Sequence, residues 1–171
     1  MSSSDPIAEA HRQWVAHGWA DAADGMALVT SVVRVQQLLI ERIDASLRPF
    51  GLTFARFEML RVLAFTSNGE MPMAKLGSVL QVHPTSVTSA VRRLEDQGFA
   101  RRAPSERDGR IVLAAITDEG RAVIEAATKA INTDVFERPG LAAKKVPLFV
   151  QDLGEIRATL GDSVRPRGRR R

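Results

Sequence analysis

The sequence predicts a mainly α-helical fold that carries one small β-hairpin. Apolar residues recur at helical spacing in several segments of the 171-residue chain, whereas a strand-like pattern begins only after Gly98. Hydrophobic residues make up 44% of the chain and charged residues 26%, as in an ordinary globular protein. This length is enough for one domain with a full core, together with a few packing helices.

The first long helix is predicted over residues 25–48. Val29, Val33 and Ile40 fall on one side of such a helix, and Pro49 supplies a stop. Together with the helices at the other end of the chain, this segment carries more apolar surface than a small domain can cover. Uncovered surface of that kind usually marks an interface.

Three shorter helices are predicted next. The second helix of the chain has Thr53 as a candidate N-cap. The third lies within MPMAKLGSVLQV, residues 71–82, and the fourth within HPTSVTSAVRRLEDQG, residues 83–98. Val87, Val91 and Leu94 form a narrow apolar stripe along the fourth helix, at i, i+4 and i+7. We interpret His83 as the residue that starts the fourth helix, not as a ligand, because Pro84 suits the first helical position.

A β-hairpin is predicted after the fourth helix. The pattern changes there to FARRA, a polar turn PSERDG, and RIVLAAIT. Asp108 and Gly109 lie near the turn. A charged tip is thus joined to an apolar root.

Two further helices follow the hairpin. Thr117 is the expected N-cap of the first, with Asp118 and Glu119 in a first turn where the helix dipole favours acids. This helix is expected to run until the RPG sequence at residues 138–140, and the last helix lies within residues 142–161.

The net charge is unevenly distributed. A formal charge of +4 and a pI near 10.3 are typical of nucleic-acid-binding proteins. However, the last seven residues, RPRGRRR, hold five of the 24 Lys and Arg, which leaves 19 basic against 20 acidic side chains elsewhere. Residues 163–171 are predicted to form a basic disordered tail that adds modest non-specific attraction to phosphates, the alternative being a terminus without a role.

Composition disfavours several other classes. The chain has no cysteine, which excludes disulfides and thiol nucleophiles. We find no nucleophile motif, phosphate-cradling glycine loop or catalytic carboxylate pair, so we expect neither enzyme activity nor a cofactor. His11 and His17 would not share a helix face, so no metal site is expected. No apolar run approaches the roughly 18 residues that cross a bilayer, and the N-terminus lacks a signal-peptide pattern, which favours the cytoplasm.

The order helix, helix, helix, hairpin in the middle of the chain is that of a winged helix-turn-helix, whose third helix enters the DNA major groove. The residues LGSVLQVHPTSVTSAVRRLEDQGFARRAPSERDGRIVLAAITDEGRAVI closely resemble the multiple-antibiotic-resistance regulator (MarR) family. They comprise a Leu-rich helix, a recognition segment, a wing with Asp108 and Arg110, and a Thr-x-x-Gly helix start at Thr117 and Gly120. The resemblance covers residues 26–137, and its combined spacing is specific although each piece alone is weak.

This resemblance implies a homodimer in which the first long helix and the two C-terminal helices of each subunit interlock, leaving two winged domains to straddle DNA. Residues 25–50 and 118–162 would form the helical dimerisation region. Residues 51–117 would form the winged helix-turn-helix DNA-binding domain. Residues 1–24, ahead of the first long helix, would form a helical N-terminal extension.

In such a protein the fourth helix would contact DNA as the recognition helix. Short side chains let its backbone approach base edges, while hydroxyls and arginines bond to bases and phosphates. The predicted DNA-contacting residues of this helix are Thr85, Ser86, Thr88, Ser89, Arg92 and Arg93. The alternative is that Thr88 is partly buried and that Arg93 only pairs with an acid such as Asp96.

The hairpin would serve as the wing. Arg110 is expected near its tip, within reach of the minor groove, with Asp108 orienting the guanidinium. Arg107, Arg101 and Arg102 can add phosphate contacts. The alternative is a solvated surface hairpin that makes no DNA contact.

Members of the MarR family commonly bind a small aromatic or anionic effector, and the bound form holds DNA less well. Some urate-responsive members carry a Trp on an N-terminal helix at the ligand site. Trp14 and Trp19 are therefore candidate ligand-binding residues. The alternative, which we favour, is that both tryptophans pack the N-terminal extension onto the dimer.

The sequence as a whole predicts a homodimeric transcriptional regulator, in this family most often a repressor. It would bind double-stranded DNA at a pseudo-palindromic operator whose half-site centres lie roughly 10 bp apart. The alternative function is a winged-helix module for protein assembly that does not bind DNA specifically.

Overall fold

The computed structural model describes residues 5–162, and the predicted basic tail at residues 163–171 lies outside them. The described residues form seven α-helices and one three-stranded sheet, which confirms the predicted mainly α fold class with a β-hairpin wing. The elements are α1 Pro6–Ala16, α2 Ala20–Leu47, α3 Phe54–Ala64, β1 Glu70–Pro72, α4 Met73–Leu80, α5 Pro84–Asp96, β2 Ala100–Pro104, β3 Val112–Ile116, α6 Asp118–Ile131 and α7 Val146–Thr159.

The chain divides into two compact units, one ending at Val135 and the other beginning at Phe136. The first unit contains α1 to α6 and the sheet, and α1 packs against α2 within it. The second contains α7, which starts with Pro147 in its first turn, where a missing N–H costs nothing. Leu148, Phe149 and Val150 of α7 are exposed within the described residues.

The core of the first unit is apolar, and no polar side chain among the described residues is buried in it. Its largest fully buried side chains come from α2 to α6: Leu47, Met59, Leu60, Leu63, Leu76, Val87, Val91, Leu94, Ile124 and Ile131. The three from α5, Val87, Val91 and Leu94, are the stripe expected from the sequence. Because that stripe faces the core, the other faces of α5 are left for solvent or a partner.

The long helix α2 begins at Ala20, five residues earlier than predicted, because no residue between Ala20 and Gly25 breaks the helix, and the break from α1 comes at Gly18, where φ is +87°. Its C-terminal end joins the core through Ile43 and Leu47. Over most of its remaining length the apolar side chains are exposed: Leu28, Val29, Val32, Val33, Val35, Leu38 and Ile40.

The sheet contains a strand that the sequence did not predict. Its order is β1-β3-β2 with antiparallel pairs, so the predicted hairpin of β2 and β3 is extended by β1. A segment of three residues is too short to show the alternation of apolar and polar side chains that predicts a strand. Pro72 is tolerated because β1 lies at the edge of the sheet. Met71 pairs with Ala114 and so ties the root of the wing to the start of α4.

The start of α3 is capped in a different way from the prediction. Thr53 occupies the N-cap position, but its side chain makes no capping hydrogen bond. The Phe54 N–H instead donates to Oδ1 of Asp44 on α2, over 3.0 Å. A carboxylate can substitute for the cap because it also suits the positive end of the helix dipole.

The predicted cap of α6 is confirmed. Thr117 Oγ1 accepts from the Gly120 N–H at 3.0 Å and donates to the Gly98 carbonyl at 2.7 Å. The Thr117 N–H donates to the Phe99 carbonyl at 3.1 Å. One residue thereby joins the start of α6 to the turn that follows α5. The helix ends at Ile131, earlier than predicted, and continues as a π-helical segment, Asn132–Phe136.

Replacing Thr117 with alanine is expected to lower the free energy of unfolding by about 1–2 kcal/mol, because both the capping bond and the bond to Gly98 are lost. Thr117→Ser keeps the hydroxyl and is the matched control. Urea unfolding followed by circular dichroism measures both. Equal stability of the two variants would show that the hydroxyl bonds contribute nothing.

Candidate nucleic-acid interface

The helix predicted to be the recognition helix is α5, and its start is built as predicted. His83 is the N-cap residue, its Nδ1 accepts from the Thr85 N–H at 3.3 Å, and Pro84 occupies the first turn. The buried stripe of α5 then fixes which side chains point outward. All six predicted DNA-contacting residues are exposed: Thr85, Ser86, Thr88, Ser89, Arg92 and Arg93.

The structure answers both alternatives raised for this helix. Thr88 is exposed, and its Oγ1 donates to the Pro84 carbonyl of the preceding turn at 3.1 Å. Arg93 makes no ion pair with Asp96, and the ion pairs found within residues 5–162 include neither Arg92 nor Arg93. Both guanidinium charges are therefore available to an anionic partner.

A two-point contact holds the wing strand against α5. Glu95 Oε1 accepts from the backbone N–H of Arg102 at 2.8 Å, and its Oε2 accepts from the Arg102 Nε at 2.6 Å. Arg102 was expected to contact phosphates, but its charge is paired with Glu95 here, so a phosphate contact from Arg102 would require this pair to open. Its role is structural, since it sets the position of β2 relative to the recognition helix.

The wing tip spans residues 105–111, between β2 and β3. It is closed by two backbone bonds, from Ser105 N–H to the Ile111 carbonyl at 2.8 Å and from Ile111 N–H to the Asp108 carbonyl at 2.9 Å. The side chains of Arg107, Asp108 and Arg110 are all exposed there.

The predicted role of Asp108 needs correction. Its Oδ1 accepts from the backbone N–H of Arg110 at 3.0 Å, and the ion pairs among the described residues do not join the two side chains. A short acidic side chain at a turn commonly bonds to the backbone two residues later. Asp108 thus shapes the tip, and it leaves the Arg110 guanidinium unpaired and pointing to solvent.

A cavity of about 420 Å³ lies beside the recognition helix, between α5 and the start of α3. It is lined by Thr53, Ala55, Arg56, Thr85, Ser86, Ser89, Ala90 and Arg93. Sequence reasoning missed the residues from α3. A signal was present, because a basic side chain such as Arg56 in the first turn of a helix opposes the helix dipole and calls for an explanation.

The N-terminal extension places its two tryptophans together. The rings of Trp14 and Trp19 meet edge to face with centroids 5.5 Å apart, and the His17 ring stacks on Trp19 at 6.0 Å. Trp19 remains 55% exposed. The His11 Nε2 lies 2.9 Å from Oδ1 of Asp24 and so links α1 to α2.

Within residues 5–162, no group of three or more His, Asp or Glu side chains is placed to hold a metal ion. None of the helices there is both long enough and apolar enough to cross a membrane.

Comparison with known proteins agrees with this geometry. The sequence profile of the MarR family matches residues 50–111. The HTH-type transcriptional repressor Rv2887 of Mycobacterium tuberculosis (strain ATCC 25618 / H37Rv) is 33% identical over 119 residues, which span 68% of this chain and 84% of that protein.

Solved structures show the same fold. Sco5413, a MarR family transcriptional regulator from Streptomyces coelicolor, is 42% identical, with a TM-score of 0.74 over 83% of this chain and 99% of that one. Sco3205 from the same organism, solved in complex with DNA, shares the fold at 24% identity, with a TM-score of 0.71 over 82% of this chain and 90% of that one. The chain described here belongs to the MarR family of winged-helix, DNA-binding transcriptional regulators.

Proposed function

We propose that this protein is a homodimeric repressor that binds a pseudo-palindromic operator and releases it when a small aromatic or anionic ligand binds. The observation that carries the proposal is the exposed face of α5, which presents four hydroxyl side chains and two unpaired arginines beside a wing with an exposed arginine tip. A surface that only binds other proteins would not need this row of side chains that can donate hydrogen bonds to phosphates and bases.

Each group on this face has a distinct task. Thr85, Ser86 and Ser89 are short and lie at the front of the helix, where they would reach base edges in the major groove. Thr88 already donates to its own helix, so it would act as a hydrogen-bond acceptor or through its methyl group. Arg92 and Arg93 follow one turn later and would bind phosphates or a guanine.

The wing would add a minor-groove contact. Arg110 extends from a tip that Asp108 and the two backbone bonds hold in shape. A narrow A·T minor groove concentrates negative potential, so a guanidinium there is more favourable than on a G·C tract. Arg107 at the same tip would contact a flanking phosphate.

Dimerisation is supported by the uncovered side of α2. The apolar side chains along this helix form a wide exposed stripe, and monomeric proteins rarely leave one of that size in water. A second copy of the chain would bury it and would set two recognition helices about one DNA turn apart, which matches a two-fold symmetric operator.

A charge placed on this stripe is expected to separate the subunits. Val29, 64% exposed, would enter the interface twice in a symmetric dimer. Two buried unpaired charges at about 1.5 kcal/mol or more each should raise the dimer dissociation constant of Val29→Asp roughly a hundredfold. Ser78→Asp, which adds the same charge at an exposed position of α4 and not on the stripe, should remain dimeric. Sedimentation analysis decides, and a dimeric Val29→Asp protein would contradict the proposal.

Repression is supported by a relative, and ligand release by the N-terminal extension. Rv2887 of Mycobacterium tuberculosis is itself named a repressor. The paired rings of Trp14 and Trp19 form an aromatic surface that can stack against a planar anion. The effector would act by preferring a conformation whose recognition helices are wrongly spaced for the operator.

Selection from a random duplex pool tests the proposal. The enriched sequence should be an inverted repeat with half-site centres roughly 10 bp apart. Failure to enrich any sequence, with a well-folded protein, would favour the protein-assembly function instead.

A further inference from the structure

The cavity between α3 and α5 has a lining made for an anion. It contains two guanidinium groups, Arg56 and Arg93, four hydroxyl side chains and no carboxylate. We propose that it seats one phosphate of the DNA backbone and that Arg56 is its principal ligand. The inference rests on the proposed function to the extent that DNA must lie along α5.

Arg56 is held in place by neutral groups. Its Nη1 donates to Oε1 of Gln97 at 2.9 Å, and its Nε donates to Oγ1 of Thr53 at 3.3 Å. Gln97 is fixed in turn because its Nε2 donates to the Gly51 carbonyl at 2.9 Å. None of these partners carries a charge. The guanidinium is thus oriented before any ligand arrives, and its positive charge remains to be neutralised.

The opposite wall belongs to the recognition helix. Ser86, Ser89 and Arg93 lie at spacings of three and four residues, so they share one face of α5 and that face borders the cavity. Ser86 and Ser89 are also the residues proposed to reach base edges. A phosphate in the cavity would therefore belong to the strand whose bases this helix reads, and it would fix the depth and register of α5 in the groove.

The electrostatics favour an anion over an empty cavity. Two like charges lining one small space repel each other, and Arg56 also faces the positive end of the α3 dipole. Asp44 accepts from the Phe54 N–H at the start of α3 but does not line the cavity. A phosphate would accept hydrogen bonds from both arginines at once. Each guanidinium can donate two parallel N–H···O bonds to phosphate oxygens.

The test uses the full-length protein with Arg56→Gln, which removes the charge and keeps an amide donor toward Gln97. A phosphate contact carries no sequence information, so affinity should fall about tenfold on the selected operator and on random duplex alike. The slope of log affinity against log salt should become shallower by about one. Arg12→Gln, which makes the same charge change at an arginine paired with Glu9 on α1, should alter neither quantity.

A double variant adds a stricter requirement. If Arg56 and Arg93 bind the same phosphate, replacing the second arginine costs little affinity once the first has been replaced. The double variant, Arg56→Gln with Arg93→Gln, should therefore lose clearly less affinity than the product of the two single-variant fold losses. Losses that simply multiply would show separate contacts and would overturn the shared site. Thermal unfolding of each variant establishes that the fold is intact.

The outcomes distinguish a failure of the phosphate site from a failure of the proposed DNA-binding function. Random duplex reports the phosphate contact even if no operator exists, because non-specific binding is a phosphate effect. Unchanged affinity and salt slope in Arg56→Gln would overturn the site while leaving operator binding standing. The other source of the same chemistry is a free anion. Inorganic phosphate that shifts the Ala55 amide resonance at sub-millimolar concentration, while Arg56→Gln binds DNA normally, would also overturn the assignment to DNA.

Discussion

Replacing Gly120 with alanine is expected to destabilise the protein by about 3 kcal/mol, the upper part of the range for overpacking substitutions. A Cβ on this residue would lie far inside van der Waals contact with the Phe99 carbonyl oxygen and 2.9 Å from Cγ1 of Ile116. The Phe99 oxygen cannot move away freely, because it accepts the Thr117 N–H that starts α6. The clash therefore forces apart the turn after α5 and the start of α6.

Gly25→Ala is the matched control for this prediction. Gly25 also lies inside a helix, but a Cβ there would meet no atom within 4 Å. Alanine should therefore be neutral there or stabilise α2 by up to about 1 kcal/mol. Chemical denaturation of the two variants measures the difference, and a Gly120→Ala protein as stable as Gly25→Ala would show that the packing is looser than described.

The second large effect is expected from the wing. Arg110→Ala should weaken operator binding by about 1–3 kcal/mol, or roughly 5- to 150-fold, because an unpaired guanidinium leaves the minor groove. The loss should depend on sequence. Replacing the A·T pairs beneath the wing with G·C pairs should weaken the wild-type protein but have much less effect on Arg110→Ala, since the contact it disturbs is already gone.

This pair of changes also distinguishes a groove contact from general attraction. If Arg110→Ala reduced affinity equally on A·T and G·C flanks, the arginine would be acting on phosphates alone. If it had no effect on either, the hairpin would be the solvated surface element that the sequence left open as an alternative. Fluorescence anisotropy titrations on the two duplexes provide all four dissociation constants.

Where an apolar pattern repeats over several helical turns, the sequence was enough to predict the structure. The stripe of Val87, Val91 and Leu94 repeats over two turns of α5, so it specified both the helix and the face that remains exposed. The Thr117 cap was equally readable, because a hydroxyl before two acids matches the needs of a helix N-terminus.

Contacts between distant segments were not readable in this way. Strand β1 is too short for a pattern, and its existence depends on β3, more than forty residues later. The capping of α3 by Asp44 and the neutralisation of Arg102 by Glu95 both arise from tertiary proximity. Similarly, Arg56 becomes a candidate site residue only when α3 and α5 are seen to line one cavity. A sequence shows which charged side chains a protein has, but only the fold shows which groups those side chains contact.

The most direct test of the account is the affinity of the purified protein for its selected operator compared with a shuffled duplex of the same composition. At roughly physiological salt, we expect the operator to bind at least about a thousandfold more tightly, as is usual for specific regulators. Equal affinity for both duplexes would contradict it, because α5 and the wing would then provide only phosphate attraction and no reading of bases.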